Sequence, residues 1–246
     1  MDSHYKEDTS FINRCIALDR LDVNLFRATN LWFPDGARGT FGGQIAAQAL
    51  QSAIQTVDKD FFLHAFHAFF VRPGNPSIPM AYQVSHIRDG QSFCSKAVTA
   101  IQNEKTILTL QASFHKQLDV NISLHFQPVM PVVEHYSNLS AVTKLNPGFE
   151  LPSSLLVEIR PVDLDVYTLR VADKTHRLLS WIRVYGRIGK FKSLRKQIFP
   201  RHKNLILYDT RLQLLTYIFV TRIFCDQRDV SSFLFTGNKL TQSMII

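Results

Sequence analysis

The stretch Gly39-Thr-Phe-Gly-Gly-Gln-Ile-Ala-Ala-Gln-Ala-Leu-Gln-Ser-Ala-Ile-Gln-Thr-Val57 predicts a glycine turn that opens into an alanine-rich helix. We expect this helix to run from about Gln44 to Val57. Apolar side chains recur at helical spacing on one face, which carries Ala46, Ala49, Leu50, Ala53, Ile54 and Val57. Glutamines occupy the opposite face, at Gln44, Gln48, Gln51 and Gln55. Because alanine side chains cannot fill a deep gap, the small face must lie against something flat, and we expect a sheet wrapped around one buried helix.

Two glycines, Gly42 and Gly43, stand at the predicted entrance of this helix. The first backbone N–H groups of a helix have no partner within it and lie at the positive end of its dipole. Such an entrance suits a carbonyl oxygen or an anion. The glycines could equally serve only to make the turn, and the sequence leaves both interpretations open.

The rest of the first half predicts strands. Three of them follow one another in hairpin order, joined by Asp89-Gly90 and Asn103-Glu104 turns. Residues 1–20 are expected to form a short leader. The predicted strands are Leu25 to Trp32, Phe61 to Val71, Met80 to Arg88, Ser92 to Gln102 and Lys105 to His115. Together with the helix they complete an α+β unit with an antiparallel meander by about residue 116.

Composition narrows the class of protein. The 246 residues can hold one large domain or two of about 120, and 46% apolar residues are enough for a sizeable core. The net charge of +8 suits a phosphate-bearing partner such as a nucleotide, a coenzyme or nucleic acid. Much of the basic excess falls between Arg183 and Lys203, outside any recognisable nucleic-acid-binding motif, so we predict no nucleic-acid partner.

Several kinds of site and segment are not expected. The three cysteines, Cys15, Cys94 and Cys225, are too widely spaced for a disulfide framework or a metal site, and no cofactor is predicted. The polar N-terminus has no apolar export segment. The apolar run from Leu212 to Val220 is too short to cross a bilayer. We therefore expect an intracellular protein with no transmembrane segment.

The second half is less regular. Prolines 128, 131, 147 and 152 indicate a linker over residues 118–153, after a first unit over residues 1–117. A second unit is predicted over residues 154–189, with short strands at Leu155 to Pro161, Tyr167 to Ala172 and Arg177 to Tyr185. From Lys190 onward the strand pattern is lost, so residues 190–246 are interpreted as a divergent basic and apolar tail.

Six blocks of the first unit carry a family resemblance: Leu25-Phe-Arg27, Phe41-Gly-Gly-Gln44, His64-Ala-Phe-His-Ala-Phe-Phe70, Arg72-Pro-Gly74, Ile87-Arg-Asp-Gly-Gln-Ser-Phe93 and Gln111-Ala-Ser-Phe114. In this order they resemble the N-terminal repeat of the acyl-CoA thioesterase II family, which hydrolyses fatty acyl-CoA to free fatty acid and CoA. A fainter resemblance to the start of the family's second repeat covers Val157 to Pro161 and Ser180 to Arg183. It ends near Gly189.

The resemblance implies a hotdog fold, an antiparallel sheet wrapped around a central helix, with an incomplete second hotdog repeat. It implies an acyl-CoA ligand, a homo-oligomer and a location in the cytoplasm or the peroxisome, although the chain ends without a peroxisomal tripeptide. We expect the ligand to contact Gly42, Gly43, Gln44, His64, His67, Arg72 and Arg88, with the arginines meeting CoA phosphates. Without a bulge, His64 and His67 point to opposite faces of their strand, so at most one of them faces the ligand.

The family's catalytic Asp, Ser or Thr, and Gln all lie on the second repeat, where their motifs are not recognisable in this chain. Asp209 is the candidate for the acid, and Ser231 or Ser232 is a remote candidate for the hydroxyl. We therefore expect an acyl-CoA thioesterase-like protein whose own catalytic competence stays open. The alternative is a non-catalytic hotdog protein that binds acyl-CoA or pairs with a full-length relative.

Overall fold

A computed structural model describes residues 14–33, 37–116, 137–138, 157–164, 179–184, 205–209, 234–238 and 241–245. Helix α1 spans Gly42–Ile54. The strands are β1 Asp19–Asp22, β2 Leu25–Ala28, β3 Phe61–Phe70, β4 Met80–Asp89, β5 Phe93–Gln102, β6 Lys105–Lys116, β7 Val157–Pro161, β8 Leu179–Val184, β9 Leu205–Asp209, β10 Leu234–Asn238 and β11 Thr241–Ile245. Within these ranges no helix is long and apolar enough to cross a membrane.

The chain divides into two compact units. One unit contains α1 and an antiparallel sheet in the order β1-β2-β4-β5-β6-β3-β11-β10. The other contains a separate antiparallel sheet in the order β7-β8-β9. Both β9 and the hairpin of β10 and β11 lie in the segment for which the sequence pattern was interpreted as lost.

The predicted meander is confirmed. Strands β4, β5 and β6 begin and end within one residue of the predicted positions. Asn103 and Glu104 join β5 to β6 with φ angles of 47° and 60°. Positive φ at both central residues is the geometry of a tight hairpin turn, which matches the twist of the flanking strands.

The central helix is also confirmed, although it begins two residues earlier and ends three residues earlier than predicted. Ala46, Ala49 and Ala53 are buried, and the helix packs against β4, β5 and β6. The large side chains of this core come from the sheet, including Tyr82, Leu108 and Phe114. Small helix residues facing large sheet residues bring the helix close to the sheet, as the alanine pattern indicated.

The prediction of a glutamine face turned away from the core was wrong for Gln44 and Gln48, which are both fully buried. The Gln44 amide nitrogen donates to the carbonyl oxygens of Cys15 and Asn30, both at 2.8 Å. Its carbonyl oxygen accepts a hydrogen bond from the Trp32 backbone N–H at 2.7 Å. Every polar atom of this side chain therefore has a backbone partner, which compensates for its burial.

Gln48 extends this network across the helix. Its amide nitrogen donates to the Cys15 carbonyl oxygen at 2.6 Å, and its own carbonyl oxygen accepts the Tyr82 hydroxyl proton at 2.6 Å. The two glutamines thus bond the helix to residues that were expected to form a leader. That expectation was wrong for Cys15, which is buried, and for Asp19 and Arg20, which begin β1.

Some predicted elements differ or cannot be compared. The first predicted strand ends at Ala28 instead of Trp32. The strand predicted at residues 167–172 and most of the linker lie outside the described residues. The division of the chain at residues 117, 153 and 189 therefore stays a proposal.

One charged side chain lies in the interior of the sheet. The Lys96 ammonium is buried, contacts the Asp89 carboxylate and lies 2.7 Å from His86 Nδ1. Hydrogen bonds from Lys96, and then from His86, lower the pKa of Asp89 from its usual value of 3.8. Asp89 itself is more than half exposed, so water screens the attraction.

We predict that Asp89→Asn makes the protein less stable at neutral pH and removes part of its acid sensitivity. Because folding lowers the pKa of Asp89, its contribution to stability is fully present above the unfolded pKa of about 3.8 and is lost as the pH falls through the folded pKa. Urea unfolding from pH 7 to pH 2 should show the gap between wild type and variant closing below about pH 4.

The matched control is Asp19→Asn, which breaks an ion pair between two exposed side chains, Asp19 and Arg27. Such pairs contribute little to stability, so this variant should stay close to wild type at every pH. A gap for Asp89→Asn that does not change with pH would contradict the linkage.

Candidate functional site

The entrance of α1 offers unpaired backbone donors. Phe41 is the N-cap residue, and no side chain caps the first turn. Its carbonyl oxygen accepts hydrogen bonds from the backbone N–H groups of Gln44 and Ile45, at 3.1 and 3.2 Å. In the described part of the chain, no acceptor bonds to the N–H groups of Gly42 and Gly43. These two donors stand at the positive end of the helix dipole and can bind a carbonyl oxygen.

Tertiary contacts fix the position of this entrance. The Phe41 N–H donates to the Trp32 carbonyl oxygen at 2.9 Å, and the two rings pack edge to face with centroids 5.7 Å apart. The Thr40 N–H donates to the Gly74 carbonyl oxygen at 2.7 Å. The first turn is therefore held by the segment before it and by the loop after β3.

Gly42 has little room for a side chain. A Cβ placed on it would lie 2.9 Å from Cε1 of Phe70, closer than real Cβ contacts come. The Phe70 ring is 37% exposed and lies at the end of β3. The glycine thus brings the helix entrance against an aromatic ring that is open to solvent.

Arg72 lies at the same end of the sheet. Its backbone N–H donates to the Ile107 carbonyl oxygen, and its Nη1 donates to the Thr106 carbonyl oxygen at 2.7 Å. Arg72 is exposed and comes two residues before Gly74, which bonds to Thr40 at the helix entrance.

Arg88 lies at the far end of β4. A Cβ placed on Gly74 would lie 3.1 Å from Met80 Cε, so the first residue of β4 is close to the helix entrance. Arg88 follows eight residues later, which is about 26 Å along a strand at about 3.3 Å per residue. The structure therefore does not bring Arg72 and Arg88 together.

His64 and His67 lie on the sheet face opposite α1. The pairing of β3 with β6 shifts register between Leu63 and Ala65, so a bulge at His64 reverses the alternation. Phe66 is then buried in the core, whereas His67 is exposed on the opposite face of the sheet. The expectation of opposite faces applied only to a strand without a bulge, and this bulge places both histidines on the same face.

His64 packs among rings on that outer face. Its centroid is 5.4 Å from His115 and 6.1 Å from Phe93. Burial, and then the nearby His115, lower the pKa of His64. This placement favours the neutral ring, and it separates both histidines from the helix entrance.

The remaining candidates are placed as follows. The Gln44 side chain has no free polar atom, and its backbone N–H donates to Phe41, so a ligand contact by Gln44 stays a prediction. Asp209 is the last residue of β9, opposite Leu179, in the unit that holds the three-stranded sheet. Ser231 and Ser232 lie outside the described residues.

Cys94 is buried, and burial raises the pKa of its thiol, so it is a poor nucleophile. The described ranges hold no group of three or more His, Cys, Asp or Glu side chains that could bind a metal ion.

Sequence reasoning missed Thr40 and Phe70 as parts of the entrance. Thr40 directly precedes the N-cap residue, and Phe70 follows a run of aromatic residues in β3. Neither position carries a sequence signal for its contact, because each contact joins segments that are distant along the chain.

Comparison with known proteins matches the segment that contains this entrance to a known family model. Residues 29–115 match the family model of the acyl-CoA thioesterase N-terminal domain. The human acyl-coenzyme A thioesterase 8 is 31% identical over 193 residues, which cover 73% of this chain and 60% of the human one. The Saccharomyces cerevisiae peroxisomal acyl-coenzyme A thioester hydrolase 1 is 37% identical over 84 residues, which cover 34% of this chain and 24% of the yeast one. The chain thus spans about 60% of the length of the human relative.

Solved structures show the same fold. An acyl-CoA thioesterase II, TesB2, from Mycobacterium marinum has a TM-score of 0.57 at 20% identity, with 96% of this chain and 77% of that chain covered. A hot dog fold protein of unknown function from Alicyclobacillus acidocaldarius has a TM-score of 0.56 at 16% identity, with 95% and 76% covered. The predicted α+β hotdog fold is confirmed by these neighbours. Residues 29–115 thus match the N-terminal domain of acyl-CoA thioesterases, and the chain is similar to members of the acyl-CoA thioesterase II family.

Proposed function

We propose that this chain is an acyl-CoA thioesterase that binds fatty acyl-CoA at the entrance of α1 and hydrolyses it to free fatty acid and CoA. The observation that carries the proposal is the pair of N–H groups at Gly42 and Gly43, which have no acceptor among the described residues and lie inside the matched thioesterase domain. Two convergent donors can hold the carbonyl oxygen of a thioester. They stabilise that oxygen further once attack makes it an oxyanion.

The chemistry also needs a group that activates water. Among the described residues that surround the entrance, namely Trp32, Thr40, Phe41, Phe70 and Gly74, none is a general base. We propose Asp209 as the acidic residue of hydrolysis on the family resemblance alone, which implies an acid on the second repeat. A positioned base contributes about 10²- to 10⁴-fold to a rate, so hydrolysis depends strongly on it.

A second candidate function is acyl-CoA binding without hydrolysis, in which the chain acts alone or pairs with a full-length relative. The observation that favours it is that the donors of the entrance are in place while the described entrance lacks a base. Binding and turnover must therefore be measured separately.

Charge supports a CoA ligand. The exposed Arg72 lies at the same end of the sheet as the entrance, and the chain has a net charge of +8. We propose that Arg72 meets a phosphate of CoA, since its guanidinium carries several donors. Arg88, His64 and His67 stay proposed contacts of lower priority, because they lie at the far end of β4 or on the opposite sheet face.

The proposal extends to assembly and location. We propose that the chain forms a homo-oligomer. Light scattering of the purified chain would measure its oligomeric state. We also propose a cytoplasmic or peroxisomal location, and the name of the yeast relative, a peroxisomal acyl-coenzyme A thioester hydrolase, supports the peroxisome.

We predict that the purified chain binds fatty acyl-CoA and releases CoA more slowly than about 10 s⁻¹, the median for enzymes. Gly42→Ala places a methyl group against the Phe70 ring beside the donors, so it should weaken binding by about 5-fold or more, the effect of one or two neutral hydrogen bonds. Asp209→Asn should lower the rate of CoA release without changing affinity. Thiol detection of CoA and calorimetry measure the two quantities.

The control is Gln51→Ala, which changes the same helix away from its entrance and should leave both quantities unchanged. Binding without CoA release would favour the second candidate function. Release unaffected by Asp209→Asn would reject Asp209 as the acid. Neither binding nor release would contradict both functions.

We further predict that the affinity for acyl-CoA falls as the salt concentration rises, because salt screens exposed charges. Arg72→Ala should weaken binding and flatten this salt dependence. Arg88→Ala is the matched comparison at the other end of β4 and should have the smaller effect. Titrations at low and high sodium chloride would reject this placement of the CoA phosphates if Arg88→Ala had the larger effect.

A further inference from the structure

The side-chain hydroxyl of Thr40 is buried, and the described part of the chain offers it no hydrogen bond. Thr40 is 7% exposed, and its Oγ1 has no hydrogen-bond partner among the described residues. Buried hydroxyl groups nearly always have a partner, because leaving one unpaired lowers stability. An unpaired one calls for an explanation.

Other hydroxyls near α1 follow the usual pattern. Ser52 Oγ donates to the Ala49 carbonyl oxygen and Thr56 Oγ1 to the Ala53 carbonyl oxygen, both at 2.7 Å. Thr40 differs from both, although its backbone N–H is firmly bonded to Gly74. The backbone of Thr40 is therefore fixed, while no hydrogen bond from the described part of the chain holds its side chain.

The position of Thr40 connects it with the helix entrance. It lies two residues before Gly42, and a Cβ placed on Gly74 would be 3.3 Å from Thr40 Cβ and 3.1 Å from Ile45 Cδ1. Ile45 belongs to the first turn of α1. The Thr40 side chain thus packs beside the turn that carries the free donors.

We infer that the Thr40 hydroxyl is a third hydrogen-bond donor at this entrance, and that it binds the ligand carbonyl oxygen together with the N–H groups of Gly42 and Gly43. This inference rests on the proposed function. It assigns to Thr40 a direct ligand contact that accounts for a buried hydroxyl without a partner.

Burial of the hydroxyl does not prevent such a contact. Threonine has three staggered positions for its Oγ1, and rotation about the Cα–Cβ bond exchanges the hydroxyl with the methyl group. Since none of the described residues bonds to Oγ1, this rotation breaks no hydrogen bond to them. The partly exposed Phe70 ring, which lies against Gly42, can also move when a ligand binds.

The test uses two CoA ligands that cannot be hydrolysed. One is a 2-oxoalkyl-CoA, which has a ketone near the position of the thioester carbonyl. The other is an S-alkyl-CoA thioether of matched chain length, which has no carbonyl. Calorimetry gives the Kd of each for wild type, Thr40→Val and Thr40→Ser, and thermal unfolding gives their melting temperatures.

Thr40→Val keeps the shape and removes the hydroxyl. We expect its Kd for the ketone to rise by about 2- to 12-fold, the effect of one neutral hydrogen bond, with no change for the thioether. Its melting temperature should stay the same or rise, because an unpaired buried hydroxyl has been removed. Thr40→Ser should bind the ketone as wild type does. Thr56→Val, which removes a bonded hydroxyl at the other end of the helix, should leave both Kd values unchanged.

Two results would overturn the inference and leave the proposed function intact: an unchanged Kd of Thr40→Val for the ketone, or an equal loss for ketone and thioether. If wild type binds neither ligand, the proposed function itself fails, and the inference fails with it.

Discussion

The buried amide of Gln44 is the contact on which the rest of this unit depends. It bonds at once to Cys15, Asn30 and Trp32, so one helix side chain holds most of the segment that precedes the helix. Trp32 in turn accepts the Phe41 N–H and packs on its ring, which sets where α1 begins. The direction of the free Gly42 and Gly43 donors is therefore a consequence of a hydrogen-bond network inside the core. Losing one partner would leave buried polar atoms unpaired, which is costly.

The core and the entrance require opposite properties of the same helix. Its alanines bring it against the sheet, where it must be rigid and free of polar atoms that lack partners. Among the described residues, the two backbone donors of its first turn and the nearby Thr40 hydroxyl have no hydrogen-bond partner. Unpaired polar groups reduce stability, so their concentration at one end of the helix is better explained by a ligand than by folding.

The regular parts of this fold follow from local sequence. Strands β4 to β6 were predictable because the alternation and turn residues of each hairpin act over a few residues, and α1 was predictable from its alanine spacing. Burial of Gln44 and Gln48 was not predictable from local sequence, because their hydrogen-bond partners are 12 to 34 residues away along the chain. The bulge at His64 was also missed, since register depends on the neighbouring strand. At the site, the glycine pair was predictable, whereas Thr40 and Phe70 depend on contacts across the fold.

The central claim is that the entrance of α1 binds the carbonyl group of an acyl-CoA. Its most direct test is NMR of the chain labelled with ¹⁵N-glycine, in which ten glycines give a simple spectrum. On titration with a non-hydrolysable 2-oxoalkyl-CoA, the account predicts that the amide protons of Gly42 and Gly43 shift downfield, as expected for new hydrogen bonds. The signal of Gly90, in the hairpin at the far end of β4, should stay in place. Saturable binding that leaves the Gly42 and Gly43 signals unchanged would contradict the account.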